Sequence, residues 1–123
     1  MPWNLFDYAP CKCYHPALAD FSPPGWFTAI VISVSSSRAV VFNLNYMYGA
    51  IDSVPGSGFP YTPYDDVRFE YDEANQRWLM IDGINRIFRF EKPDAEMLKV
   101  FSQNKNKIPS QEAMLERAIC QFD

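Results

Sequence analysis

The chain has one histidine, five glycines and three cysteines in 123 residues, and each shortage excludes something. A serine triad or a thiol–imidazole dyad would have to run through His15, leaving Cys13–His15 and Cys120–His15 as the available pairs. No nucleophile-elbow turn supports either. Gly56-Ser57-Gly58 stands between Pro55 and Pro60 and opens no helix of the phosphate-cradling type, so it reads as a loop tip. An odd cysteine count, with Cys11 and Cys13 one residue apart, argues against a disulfide framework and for a reducing compartment. The longest apolar run, Trp26–Val34, is interrupted by Thr28 and Ser33 and falls far short of the ~20 residues that span a bilayer. The opening Met-Pro-Trp-Asn-Leu-Phe-Asp has neither the basic nor the apolar region of a secretory signal. The expectation is a cytoplasmic protein with no membrane partner.

A basic stripe is also missing. Fifteen acidic and eleven basic residues leave a net charge of −4. Residues 1–67 set Asp7, Asp20, Asp52, Asp65 and Asp66 against Lys12 and Arg38 alone. A nucleic-acid binder needs clustered cations to displace counterions from phosphates, and Arg86 with Arg89 makes at most a small patch. No nucleic-acid partner is expected. An acidic surface suits a basic protein partner instead, through complementarity and steering.

What is abundant is aromatic and proline: 10 Phe, 7 Tyr, 3 Trp and 10 Pro. With 48% hydrophobic and 21% charged residues, the whole of 1–123 reads as a single globular domain. Residues 1–25 hold Pro2, Pro10, Pro16, Pro23 and Pro24, which remove backbone donors, so they read as an irregular arm with no central strand. Trp3, Leu5, Phe6, Tyr8, Tyr14, Leu18 and Phe21 give that arm enough apolar surface to pack across the domain.

Residues 26–91 read as an antiparallel sheet of about five strands, a meander or a half-barrel. Trp26–Val34 is β-branched and apolar on both faces, as in a covered strand. A serine turn leads into alternating Arg38–Tyr46. Val67–Asp72, Gln76–Asp82 and Ile84–Glu91 follow, with Asp82-Gly83 as a two-residue hairpin signal. Residues 94–122 read as two helices. Asp94 caps one carrying Met97, Leu98 and Phe101, and Ser110 caps one carrying Met114, Leu115, Ala118, Ile119 and Phe122. The fold class is α+β, with the helices on one sheet face or plugging a half-barrel.

Between the second strand and the third, residues 47–66 lose periodicity. A loop of that length in a compact domain is usually functional or disordered. Tyr48, Phe59, Tyr61 and Tyr64, with Asp52, Asp65 and Asp66, make it the candidate contact surface for a partner protein. Tyrosine anchors would supply the affinity, and rim aspartates the encounter rate. The carboxylates could alternatively hold a cation, though adjacent aspartates at a strand entrance are commonly solvated turn residues. In an extended segment Cys11, Cys13 and His15 share a side, and Cys120 could complete a Cys₃His zinc set. The single-residue spacing lacks the usual knuckle, and no cofactor or metal is expected.

The reading is a non-catalytic inhibitor that blocks a partner protein through the acidic, aromatic loop. The alternatives are a small-molecule-binding domain with a pocket between sheet and helices, using Trp78, Phe88 and Arg86, or a small Cys/His enzyme. In being short, acidic, aromatic-rich and bare of catalytic motifs, the sequence resembles the broad group of bacterial immunity proteins and phage-encoded inhibitors. That likeness is one of composition, and it too implies an inhibitor of a partner protein.

Overall fold

Strands β1 (Cys11–Tyr14), β2 (Trp26–Ser35), β3 (Arg38–Asn43), β4 (Tyr61–Tyr64), β5 (Arg68–Asp72), β6 (Arg77–Ile81) and β7 (Ile87–Glu91) form one antiparallel sheet in the order β4-β3-β2-β1-β7-β6-β5. Two helices follow, α1 (Ala95–Gln103) and α2 (Gln111–Cys120), joined by a 3₁₀ turn over Lys105–Lys107. The computed structural model describes residues 2–16, 26–44 and 61–122.

The described residues form seven strands, not about five, and both additions come from proline-bearing segments. The arm is interrupted by β1, a four-residue strand between Pro10 and Pro16, and β1 is the middle strand of the sheet. Its prolines stand outside the ladder, so neither removes a donor that the pairing needs. Strand β4 carries Pro63 within it, which is tolerated because β4 lies at an edge of the sheet. Residues 17–25 of the expected arm, 45–46 of the expected second strand and 47–60 of the expected loop lie outside the described residues, and with them Tyr48, Asp52 and Phe59.

The sheet is strongly curled. Its two edge strands, β4 and β5, are joined by Asp65-Asp66-Val67 alone, a link that spans at most about 14 Å. Seven flat strands would hold those edges about 29 Å apart. The contact of Tyr64 on β4 with Phe88 on β7, 5.0 Å between ring centroids, crosses the interior of the curl. Asp66 takes a left-handed φ of 54° in the link, and the Val67 N–H bonds to the Ser37 carbonyl at 3.0 Å.

Alternation along the strands then gives two cores. The inner face gathers Cys11, Cys13, Phe27, Ala29, Val31, Met80, Phe88 and Phe90, sealed by Leu5, Trp3 and Phe6 from the N-terminal segment. The outer face of β2 and β3 places Ile30, Ile32, Val40 and Phe42 under Ile108, Met114 and Ala118. The helices form where expected: Asp94 Oδ1 accepts the Met97 N–H at 2.9 Å, and Ser110 Oγ accepts the Ala113 N–H at 3.2 Å. Their buried stripes are narrower than the sequence suggests. Leu98, Leu115 and Ile119 face outward, because the curved sheet offers the helices a ridge rather than a broad floor. Tyr8 ties the two ends of the architecture together by donating its hydroxyl to the Pro109 carbonyl.

One turn differs. Asp82-Gly83 is not a two-residue hairpin; the loop runs on to Arg86, with Asn85 at φ 63°. The buried Asp82 carboxylate organises it, accepting the N–H groups of Ile84 (3.1 Å) and Arg86 (2.8 Å) and the Arg86 Nε–H (2.7 Å). Three donors on one carboxylate outweigh the preference of a short turn.

Candidate functional site

Of the expected contact residues, Tyr61, Tyr64, Asp65 and Asp66 are described, and they do not share one surface. Tyr61 and Tyr64 lie on opposite faces of β4. The Tyr61 ring packs against Phe42, 5.5 Å away, beneath the helices, and Tyr64 packs inward on Phe88. Burial pushes the Tyr64 phenol well above its ordinary value, a shift that Arg86 only partly opposes. Asp65 and Asp66 are exposed in the link, with Asp65 paired to Arg38 Nε at 3.2 Å.

The candidate zinc ligands Cys11, Cys13, His15 and Cys120 do not come together. Cys11 and Cys13 point into the inner core, while Cys120 is exposed on α2, beyond the opposite face of the sheet. Among the described residues no group of three or more His, Cys, Asp or Glu stands together as a metal site. Burial pushes the Cys11 thiol up to about 12; burial and then the neighbouring Cys11 raise Cys13 well above its ordinary value. His15 packs edge-on against Phe88 at 4.8 Å, and burial followed by the Arg86 charge lowers its pKa. Neither buried thiol is poised to become a thiolate.

The residues named for the alternative pocket, Trp78, Phe88 and Arg86, stand on and around the inner core. Trp78 and Phe88 belong to the inner face, and Arg86 is held by Asp82 with its guanidinium 5.6 Å from the Phe88 ring.

A different constellation occupies the outer face, beside the part of the sheet that α1 and α2 cover. On β1, Lys12 and Tyr14 point opposite to the two cysteines. Register sets Tyr14 between Trp26 on β2 and Arg89 on β7, and sets Lys12 between Thr28 and Glu91. The result is two rows of three residues across three strands. In the first, the Tyr14 and Trp26 rings lie 5.2 Å apart, and the Arg89 guanidinium sits 3.9 Å over Tyr14 and 5.5 Å from Trp26. Stacked arginine keeps its in-plane donors available while its face is satisfied by the rings.

The second row forms the floor of a cavity of about 480 Å³ between the sheet and α1, lined by Lys12, Trp26, Thr28, Glu91 and Met97. That volume is in the range of ligand-binding clefts. Lys12 Nζ is drawn to Asp94 at 3.4 Å. The Met97 N–H bond, reinforced by Lys12, holds the Asp94 carboxyl below its ordinary value. The Glu91 carboxylate, on the residue directly across from Lys12, makes no hydrogen bond or ion pair among the described residues.

Comparison with protein-family models, curated proteins and solved structures finds no match to this chain. Function is therefore argued from this geometry.

Sequence reasoning passed over Lys12, Tyr14, Trp26 and Glu91 as a group. The usable signal was the alternation Cys-Lys-Cys-Tyr, which reads as a strand with thiols inside and a cation and an aromatic outside.

Proposed function

We propose that this chain is a non-catalytic binding protein that acts by occupying the surface of a protein partner, with the Trp26–Tyr14–Arg89 ledge at the centre of the contact. The observation that carries this reading is the Arg89 guanidinium stacked on Tyr14 beside Trp26, all three half-buried among the described residues. Tryptophan, tyrosine and arginine are the residues that dominate binding energy when clustered at an interface centre. Asp65 and Asp66, exposed elsewhere on the surface, suit a basic partner by speeding encounter. Inhibition by blocking, as in immunity proteins, needs nothing more than such a surface. The inward, protonated thiols and the packed His15 speak against a Cys/His enzyme.

The test is affinity capture from the native host, comparing the natural protein with Tyr14→Ala/Arg89→Ala. Loss of two hot-spot side chains should weaken retention of a specific partner by about a hundredfold or more. Undiminished capture by the double variant would remove the ledge as the contact. A second reading, binding of a free small molecule, is favoured by the cavity beneath α1. It would show as a rise in melting temperature with a metabolite rather than with a protein.

A further inference from the structure

The cavity beside the ledge holds a carboxylate, Glu91, that makes no ion pair among the described residues. Four charged side chains reach this region of the outer face. Lys12 and Asp94 pair with each other at 3.4 Å, and Asp94 is further committed to capping α1. Arg89 is stacked over Tyr14 and makes no ion pair with Glu91 among the described residues. Glu91 remains, lining the cavity with no ion-pair partner among those residues. Lys12 stands directly across from it on β1, and the same cavity is lined by the Trp26 indole and the Met97 side chain, two surfaces that accept an alkyl chain.

An uncancelled carboxylate beside an indole and a thioether has a definite complement. A neutral apolar group would leave Glu91 desolvated and unpaired, which is costly. An anion would meet Glu91 directly, and Lys12, the cation among the described lining residues, is already paired with Asp94. A methylene stem ending in a cation satisfies every wall at once, with the stem along Trp26 and Met97 and the charge on the carboxylate.

We propose that this cavity receives a basic side chain, lysine or arginine, from the protein partner, with Glu91 as its counter-ion. This assignment rests on the protein-binding reading and names the partner's chemistry at one position. It also accounts for a basic partner without requiring the link aspartates to be the contact.

The experiment uses short blocked peptides and the full chain. Acetyl-Gly-X-Gly-amide, with X lysine, arginine, norleucine or glutamate, is titrated while the indole N–H resonance of Trp26 is followed by NMR, assigned through its loss in Trp26→Phe. The lysine or arginine peptide should bind at least about tenfold more tightly than the norleucine peptide. Glu91→Gln, which preserves shape, should erase that preference while leaving the melting temperature unchanged. Equal binding of norleucine, preference for glutamate, or no shift with any peptide would overturn the assignment. If the peptides fail while Tyr14→Ala/Arg89→Ala still abolishes partner capture, the cavity assignment falls and the binding reading stands. If the double variant keeps the partner, the binding reading itself falls, whatever the peptides do.

Discussion

Trp78 donates its indole N–H to the backbone carbonyl of Trp3 at 2.7 Å, and Trp3 donates its own to the Gln76 carbonyl at 3.0 Å. These two bonds fasten the N-terminal segment to the β5–β6 hairpin, and Leu5 and Phe6 fill the space behind them. Phe6 meets Phe69 edge-on at 5.0 Å. The segment is thus part of the inner core. Leu5→Ala should cost about 3 kcal/mol and Trp78→Phe about 1 kcal/mol, read by urea unfolding. A chain lacking residues 2–9 that unfolds at an unchanged midpoint would contradict this.

Tyr64 and Tyr61 should reveal themselves as packing residues. Tyr64→Ala removes the ring that closes on Phe88 across the curl, and should destabilise the fold by about 3 kcal/mol. Its phenol should also ionise late. The pKa is raised in the folded state, so the packed Tyr64 contributes stability below the ordinary value of 10.0 and loses it as the pH climbs toward the folded value. Ultraviolet titration should show one tyrosine ionising only as the protein unfolds.

Acid should weaken the fold in two stages. His15 has a lowered pKa, so as the pH falls through 6.5 the unfolded chain takes up a proton before the folded chain does, and stability drops. Asp82 gives the second stage. Burial alone would raise its carboxyl, but the bonds from Arg86 and Ile84 hold it below 3.8. Its contribution is present above 3.8 and is lost as the pH falls toward the folded value. His15→Gln should flatten the first stage and Asp82→Asn reduce the second, in urea unfolding across the acid range. At neutral pH, Asp82→Ala should cost about 2–3 kcal/mol by freeing the loop donors and Arg86.

Thiol chemistry should separate the cysteines by face. Cys120 is exposed and should react with a disulfide reagent in the native protein. Cys11 and Cys13 should react only in denaturant. Rapid native modification of all three would contradict the inward placement of β1.

Five strands and both helices were legible in the sequence because their patterns run long enough to repeat. β1 was not, since four residues between prolines show too little alternation to register, and its partners lie in β2 and distant β7. β4 was hidden by Pro63, which looks like a breaker until the strand is known to be an edge. The Asp82 loop followed carboxylate hydrogen bonding in place of the dipeptide rule. The ledge was beyond reach for the same reason as β1. Tyr14, Trp26 and Arg89 become neighbours only through register, and no local spacing records that.

The place of β1 sets an order of events during synthesis. It lies first among the seven strands in the chain, yet one of its two ladders is closed by β7, the last of them. A ribosome-bound chain that has made β1 to β4 can pair β1 with β2, but must hold the other side of β1 open until Ile87–Glu91 emerges. During that interval an unpaired ladder edge bearing Cys11 and Cys13 is exposed to water, oxidants and other nascent chains. The protein is therefore vulnerable while it is being made at a place that its finished form buries completely.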